Sequence, residues 1–390
     1  MLEKAKSLLV PSKRSDVPPF IVMDVMAAAA GLEAQGKSII HMEVGQPARP
    51  APRTALEAAH TALGRRIGYT EALGTPSLRA RIAKHYAKSY GCELDPARVV
   101  VTTGSSGGFI LAFLSLFEPD DRVALANPGY PPYRHILTAL GCEPVLIETS
   151  EATRWAMSPE ALIAAHRRTP LNGLVVASPA NPTGTMMDAA SLKRLIDAAE
   201  AEGIRVISDE IYHGLDYAFA AETAVKLSNR AVVINSFSKY FCMTGWRVGW
   251  MVMPEHLVRT AERLQQNLAI SVPTLSQVAA EAAFDGVAEM DEVKHGYEEN
   301  RRILTEGLPG AGLDKFLPVD GAFYLYANIA RHSDDSLGFA KRMLNEAGVA
   351  ATPGLDFDPV DGRHYLRFCY AGSAEEMYEA VKRIGEWLKR

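Results

Sequence analysis

Few cysteines occur in this chain, and they are widely spaced. Cys92, Cys142, Cys242 and Cys369 are the only four in 390 residues, and no two of them form a Cys-x-x-Cys pair. A disulfide framework or a zinc site needs clustered cysteines, so we expect neither disulfides nor a metal site. The four side chains are instead expected to be reduced, buried thiols, as is typical of a cytoplasmic protein.

Long apolar runs and an excess of positive charge are also missing. No apolar run approaches the ~18 residues that a membrane span needs. Residues 1–15 lack the apolar core and the cleavage site of a signal peptide. The formal net charge of -5 disfavours nucleic acid as the main partner. We therefore expect a cytoplasmic protein that binds neither a membrane nor a nucleic acid.

The middle of the chain carries the pattern of an α/β sheet. Hydrophobic residues make up 48% of the chain and charged residues 22%, which is normal for a globular enzyme with a large core. Short apolar runs alternate with helical segments, and this alternation predicts a doubly wound, mainly parallel sheet of seven strands. The predicted strands are 98–102, 122–126, 144–147, 173–178, 204–208, 231–235 and 248–252.

Both ends of the chain depart from this alternation. An alanine-rich segment at 23–35 predicts a helix, and 39–44 predicts a short strand. After about residue 273 the pattern changes to long amphipathic helices. The elements predicted there are helices at 275–284 and 289–308 and strands at 321–326 and 365–368.

The stretch from Ser236 to Arg247 is the most informative for function. It follows the predicted strand 231–235 and presents Lys239 at the edge where open α/β sheets bind ligands. An amine there can form a Schiff base with a carbonyl when burial or nearby cations lower its pKa. Arg247 supplies a planar fork that suits a phosphate. The pair suggests pyridoxal phosphate (PLP), and a surface lysine after a strand is the alternative.

A second phosphate-binding pattern follows the strand 98–102. Gly104, Ser105 and Ser106 precede a helix predicted at 109–117. Glycine lets the backbone turn tightly, and the amides at a helix start can bind an anion. No lysine follows the glycines, so this is not a Walker loop. We predict a phosphate cradle, with an ordinary helix cap as the alternative.

Three stretches, in this order and at this spacing, resemble the class I/II aminotransferases, which are fold-type I PLP enzymes. They are Ser-Pro-Ala-Asn-Pro-Thr-Gly at 178–184, Ser-Asp-Glu-Ile-Tyr at 208–212 and Ser-Phe-Ser-Lys at 236–239. The resemblance extends over nearly the whole chain. It implies a seven-stranded, mainly parallel sheet with helices on both faces plus a smaller α+β domain. It also implies a large PLP-binding domain at 46–284 and a small domain formed by 1–45 and 285–390.

The resemblance assigns roles around the cofactor. Lys239 is expected to bind PLP covalently and to move a proton between two carbons, and Asp209 to pair with the ring nitrogen. Asn181 and Tyr212 are expected to hydrogen-bond the phenolic oxygen of the ring, and Tyr130 to stack on its face. The expected phosphate ligands are Gly104, Ser105, Ser106, Ser236, Ser238 and Arg247.

Substrate binding and assembly are implied in the same way. Arg367 is expected to pair with the substrate α-carboxylate, which Gly45 and Asn181 also approach. Tyr69 is expected to reach the cofactor phosphate of a second subunit. The active enzyme is then a homodimer whose two sites are each completed by both chains.

The implied reaction exchanges an amino group between an L-amino acid and a 2-oxo acid. One aspartate-specific branch of the family has a lysine where this chain has Ser106, and a small polar residue where it has Phe20. These departures favour a substrate with a neutral or apolar side chain. Arg49 or Arg53 could still bind the second carboxylate of an acidic substrate, so that alternative stays open. A PLP-dependent C–S lyase acting by β-elimination is the alternative, because it needs nearly the same residues. A regulator's effector-binding domain is disfavoured, since it needs an additional DNA-binding domain.

Overall fold

The computed structural model describes residues 10–390. Residues 1–9 lie outside the described residues. They are part of the predicted small domain and of residues 1–15, for which no signal peptide is predicted. None of the helices within 10–390 is long and apolar enough to cross a membrane. The strands are β1 Ile40–His41, β2 Val99–Thr102, β3 Arg122–Asn127, β4 Glu143–Glu148, β5 Gly173–Ala177, β6 Arg205–Asp209, β7 Val232–Ser236, β8 Gly249–Val252, β9 Tyr324–Asn328, β10 Val349–Ala350, β11 Thr352–Pro353 and β12 Tyr365–Cys369.

Seven of these strands form one large sheet in the order β2-β8-β7-β6-β5-β3-β4. β8 runs antiparallel to its neighbours β2 and β7, and the other pairs are parallel. Alternate residues of β2 enter different cores, with Val101 on one face and Val100 on the other. Both faces are therefore covered, as the apolar runs predict. The predicted fold is confirmed, and each predicted strand ends within one residue of the observed one.

Helices cover the sheet and also lie before and after it in the described part of the chain. Helix α3 shows why they begin and end where they do: the Thr75 side chain accepts from the Leu78 amide, and Gly91 ends the helix at a φ of 64°. The helices are α1 Ile21–Glu33, α2 Arg53–Leu63, α3 Pro76–Tyr90, α4 Gly104–Leu116, α5 Pro131–Leu140, α6 Pro159–Arg168, α7 Ala189–Ala201, α8 Ala224–Leu227, α9 Glu255–Leu268, α10 Thr274–Ala283, α11 Val287–Ala311, α12 Ser336–Ala347 and α13 Ala374–Leu388.

Several predicted boundaries are wrong by two residues or more, among them the end of the helix predicted at 289–308, which extends to Ala311. The helix predicted from residue 109 begins at Gly104, because its small residues let it start against the sheet; a Cβ on Gly108 would lie 3.3 Å from the Ile234 side chain. The strand predicted at 39–44 is only Ile40–His41, which pairs with β10. The strand predicted at 321–326 starts at Tyr324, because Ala322 has a φ of 58° and belongs to a turn.

A second apolar core lies outside the large sheet. It joins β9 and β12 to helices α11 and α13 through residues such as Leu304, Leu325, Leu366 and Ile384. Strands β11, β12 and β9 form an antiparallel sheet beside it. The polar site described next lies where this core meets the carboxyl ends of β5, β6 and β7.

Candidate active site

One cavity of about 210 Å³ collects most of the predicted site residues. Gly104 and Ser236 do not line it but contact the lining residues Arg247 and Ser238, whereas Tyr69 is 83% exposed on this chain and does not line it. The loops after β5, β6 and β7 supply its floor, and α1 and the segment around Gly45 supply its mouth. The predicted residues that line it are Gly45, Ser105, Ser106, Tyr130, Asn181, Asp209, Tyr212, Ser238, Lys239, Arg247 and Arg367.

Lys239 follows β7 and points its amine into the cavity. Its Nζ donates to the Gly45 carbonyl at 2.5 Å and lies 5.7 Å from the centre of the Tyr212 ring. The pKa of Lys239 is lowered to about 8, chiefly by burial; the guanidinium groups of Arg367 and Arg247 also lower it, whereas Cys369 and Asp209 raise it. Far more of this amine is neutral near pH 7 than of an ordinary lysine, and the neutral form is the nucleophile.

Asp209 ends β6 and is buried below the cavity. Its carboxylate accepts a hydrogen bond from the Tyr133 hydroxyl and another from the Ile211 amide at 3.0 Å. Burial raises the pKa of Asp209 to about 6, while both hydrogen bonds lower it. A carboxylate held in this way can accept a hydrogen bond from a protonated ring nitrogen. Sequence reasoning missed Tyr133, which lies three residues after Tyr130 in the first turn of α5.

A pair of tyrosines forms one side of the cavity. The hydroxyls of Tyr212 and Tyr324 are 2.7 Å apart, and both side chains are buried. Tyr324 was not predicted, because within an apolar strand it looks like an ordinary core residue. It also explains Gly45, since a Cβ there would lie 1.8 Å from the Tyr324 hydroxyl. The two tyrosines can bind a phenolic oxygen and fix the position of the backbone at Gly45.

Arg367 lies in β12 and is almost fully buried. Its Nη1 donates to the Asn181 side chain at 2.9 Å, and its Nη2 donates to the Glu43 carbonyl and to the Thr352 hydroxyl. Its guanidinium carbon is 4.4 Å from the centre of the Tyr324 ring, and its Nε has no hydrogen-bond partner in the described part of the chain. Within residues 10–390 no carboxylate forms an ion pair with it. This buried charge can therefore bind a carboxylate.

The start of α4 and the loop after β7 form an anion cradle. The residue before the helix makes no side-chain cap, so the first amides of α4 are available to a ligand. A Cβ on Gly104 would lie 2.6 Å from Nη2 of Arg247, so the guanidinium packs directly on this glycine. The hydroxyls of Ser236 and Ser238 are 2.9 Å apart beside it. Amides, hydroxyls and a guanidinium are the donors that a phosphate needs.

Three aromatic rings, those of Phe20, Tyr130 and Tyr133, lie together in the wall of the cavity. Tyr130 precedes α5, and its ring contacts Phe20 and Tyr133 edge to face, at centroid distances of 5.9 and 5.2 Å.

Arg49 and Arg53 are the two arginines that could have bound the second carboxylate of an acidic substrate. Arg49 is exposed, and Arg53 pairs with Glu57 of its own helix. Neither lines the cavity.

The cavity fits PLP on the chemistry of its donors. The buried amine of Lys239, the buried acid Asp209, the tyrosine pair and the anion cradle match an aldehyde, a ring nitrogen, a phenolic oxygen and a phosphate. When bound, PLP supplies an electron sink that stabilises negative charge on the substrate α-carbon. Such a constellation at the carboxyl edge of a mainly parallel sheet defines the fold-type I class of PLP enzymes.

The comparisons with known proteins agree with this class. Residues 37–384 match the family model "Aminotransferase class I and II", and the chain belongs to this family. It is 47% identical to the valine–pyruvate aminotransferase of Mycobacterium tuberculosis over 96% of this chain and 97% of that protein. The crystal structure of an aminotransferase from Mycobacterium tuberculosis superposes with a TM-score of 0.95 at 46% identity, covering 97% and 99% of the two chains. That of a putative aminotransferase from Silicibacter pomeroyi gives 0.92 at 51% identity, covering 98% and 100%.

These findings confirm the predicted family, fold, cofactor and reaction. The protein is a PLP-dependent aminotransferase that exchanges an amino group between an amino acid and a 2-oxo acid. The C–S lyase alternative receives no support from them.

Proposed function

We propose that the amino donor is an L-amino acid with a neutral, apolar side chain. The observation that carries this proposal is the composition of the cavity mouth, where Phe20, Val22, Met23 and Val44 form an apolar wall. Ser106 lies where a lysine would be needed to bind a second carboxylate by the aspartate-specific mode. The valine–pyruvate aminotransferase at 47% identity supports the same substrate class.

The cationic groups of the cavity already have other partners in this proposal. Arg247 binds the cofactor phosphate together with Gly104, Ser105, Ser106, Ser236 and Ser238. Arg367 binds the substrate α-carboxylate, with Asn181 and Gly45 beside it. Lys239 takes the proton from the substrate α-carbon and returns it to the cofactor side, as its lowered pKa allows. Within residues 10–390, no further cation lines the cavity for a second carboxylate.

The remaining roles complete the site. Asp209 keeps the ring nitrogen protonated, Tyr212 and Asn181 hydrogen-bond the phenolic oxygen, and Tyr130 stacks on the ring. We further propose a large domain at 46–284 and a small domain at 1–45 and 285–390. The separate core of α11, α13, β9 and β12 supports this division.

We also propose that the protein is a homodimer in which both chains complete each active site, and that it is located in the cytoplasm. Large apolar side chains are exposed on the segment that includes Tyr69 and near the end of α9, as expected of a surface that another copy covers. They are Leu63, Ile67, Tyr69, Leu268 and Ile270. The four cysteines are unpaired, which suits a reducing compartment.

A donor screen tests the proposed substrate class. The holoenzyme is mixed with each L-amino acid in turn without an acceptor, and the visible absorbance of bound PLP is followed. We expect apolar donors to bleach this band and a 2-oxo acid to restore it, with aspartate and glutamate much slower. Faster bleaching by aspartate or glutamate would contradict the substrate class. Release of ammonia and a 2-oxo acid without an acceptor would instead indicate the lyase reaction.

A further inference from the structure

A carboxylate that is distant in sequence holds the first turn of helix α1. Asp356, in the turn Gly354–Asp356, accepts from the Ile21 amide through Oδ1 at 3.1 Å and from the Val22 amide through Oδ2 at 3.2 Å. Phe20, which precedes the helix, makes no side-chain cap of its own. Because first-turn amides have no partner within a helix, Asp356 serves as the helix cap from another part of the fold.

The same turn contacts two other parts of the cavity. The Arg134 side chain donates to the Asp356 carbonyl at 2.6 Å, and the Gly129 amide donates to the Phe357 carbonyl at 3.1 Å. The Phe357 ring lies 4.6 Å from the guanidinium carbon of Arg367. One turn therefore connects helix α1, the loop before α5 and the proposed carboxylate-binding arginine.

Helix α1 has few other anchors near the cavity. Of its residues, only Val22 and Ala29 are buried, although Val22 and Met23 both line the mouth of the cavity beside Phe20. Asp356 itself is 1% exposed, and its negative charge lies at the positive end of the helix. With so little apolar burial, the position of the apolar wall depends strongly on this cap.

We propose that Asp356 is a positioning residue that sets the preference for apolar donors by holding α1 against the cavity. Asp356 contacts neither the cofactor site nor the substrate site directly and acts through the main chain of Ile21 and Val22. This inference rests on the proposed function, because it assumes that the donor side chain meets the wall formed by α1.

The test compares D356A and D356N with D24N, a matched control on the same helix turn. Asp24 is exposed and makes no side-chain hydrogen bond within residues 10–390. Steady-state kcat and KM are measured for the holoenzymes with L-leucine, whose side chain reaches the wall, and with L-alanine, whose side chain is short. We expect D356A to raise the KM for leucine roughly three- to tenfold, as loss of a helix cap implies, with little change for alanine or in kcat.

The variants separate the possible outcomes. D356N retains one acceptor oxygen and should lie between wild type and D356A, and D24N should match wild type. In D356N the amides of residues 21–23 should exchange hydrogen faster as the preference for leucine falls. If D356A does not fold, D356N alone tests whether Asp356 positions α1. An unchanged leucine-to-alanine preference in a folded Asp356 variant overturns the role of Asp356 alone. A wild-type enzyme that accepts only acidic donors overturns the proposed substrate class.

Discussion

The Lys239 amine donates to the Gly45 carbonyl at 2.5 Å, across the cavity from the turn after β7 that carries the lysine. Gly45 is held in turn by Tyr324, whose hydroxyl occupies the space of any Cβ at position 45. The amine is therefore fixed between β7 and a segment from the beginning of the chain. Its reactivity depends on how readily it loses a proton in this position.

The rate of PLP uptake should rise with pH through about 8. Burial lowers the pKa of Lys239 to about 8, so the amine is mostly protonated below this pH and mostly neutral above it. Only the neutral amine attacks an aldehyde, whereas an ordinary lysine becomes neutral only near pH ~10.4. Stopped-flow absorbance after mixing the cofactor-free chain with PLP measures the profile. A midpoint near that of free lysine would contradict the burial argument.

Removal of the amine provides the control for this profile. K239A should show no pH-dependent covalent uptake and should lose turnover by at least about a thousandfold, since nucleophile and proton carrier disappear together. K193A, on the exposed face of α7 where Lys193 pairs with Asp197, should behave like wild type. Full activity in K239A would refute the assignment of the site.

Gly104 should tolerate no side chain, whereas Gly107 in the same helix should. At Gly104 φ is 66° and a Cβ would lie 2.6 Å from Arg247 Nη2, so G104A strains the backbone by about 1–2 kcal/mol and displaces the guanidinium. At Gly107 a Cβ would meet only the Thr103 side chain at 3.4 Å. We expect G104A to weaken PLP binding at least about tenfold, and G107A to bind normally. Equal PLP dissociation constants in the two variants would argue against the phosphate cradle.

Much of the fold could be predicted because its signals are local. The β-branched runs of the central sheet are buried on both faces, so residues such as Val100 and Val101 mark strands without any knowledge of their neighbours. The start of α4 at Gly104 could not be predicted, because glycine has a low helix propensity and the helix begins there through packing against β7 and β8. The turn that carries Lys239 could also be predicted, because it directly follows the apolar run of residues 231–235.

The parts of the site that were missed come from long-range packing. Tyr133 reaches Asp209 across the sheet edge, and Tyr324 reaches Tyr212 from a strand more than a hundred residues away. In sequence Tyr324 is an aromatic residue among apolar neighbours, which is typical of a core position, and Tyr133 lies between two prolines and Arg134 with no pattern that marks its contact. The cap of α1 by Asp356 likewise cannot be predicted from the sequence, because no sequence pattern links Ile21 and Asp356, which are 335 positions apart.

Loss of the Tyr324 hydroxyl should slow the reaction without unfolding the protein. Y324F removes the 2.7 Å hydrogen bond to Tyr212 and leaves the ring against Arg367. A hydrogen bond is worth about 0.5–1.5 kcal/mol, so we expect kcat to fall about three- to tenfold. Y326F is the matched control, because Tyr326 lies two residues along the same strand and its hydroxyl has no hydrogen-bond partner among residues 10–390. Equal kcat values for the two variants would exclude a role for the tyrosine pair.

Tyr69 provides the test of shared active sites. It is 83% exposed and does not line the cavity of its own chain, so any contact with a cofactor phosphate must be made in a second copy. Y69A should then lose about tenfold or more in activity through a missing hydrogen bond to a charged group. A structural tyrosine with no function in a partner would leave kcat and PLP affinity nearly unchanged.

Mixed dimers distinguish a shared site from a separate one. K239A and Y69A, both impaired alone, are co-expressed with different affinity tags. In a mixed dimer with shared sites, one site combines Lys239 of the Y69A chain with Tyr69 of the K239A chain and is intact. Random pairing makes about half of the dimers mixed with one intact site each, so about a quarter of wild-type activity should return. Co-expression of K239A with the double variant K239A/Y69A should restore none, because no chain then carries the lysine. If the first pair recovers no more than the residual activity of all its Y69A chains, in homodimers and mixed dimers together, Tyr69 does not complete the partner's site.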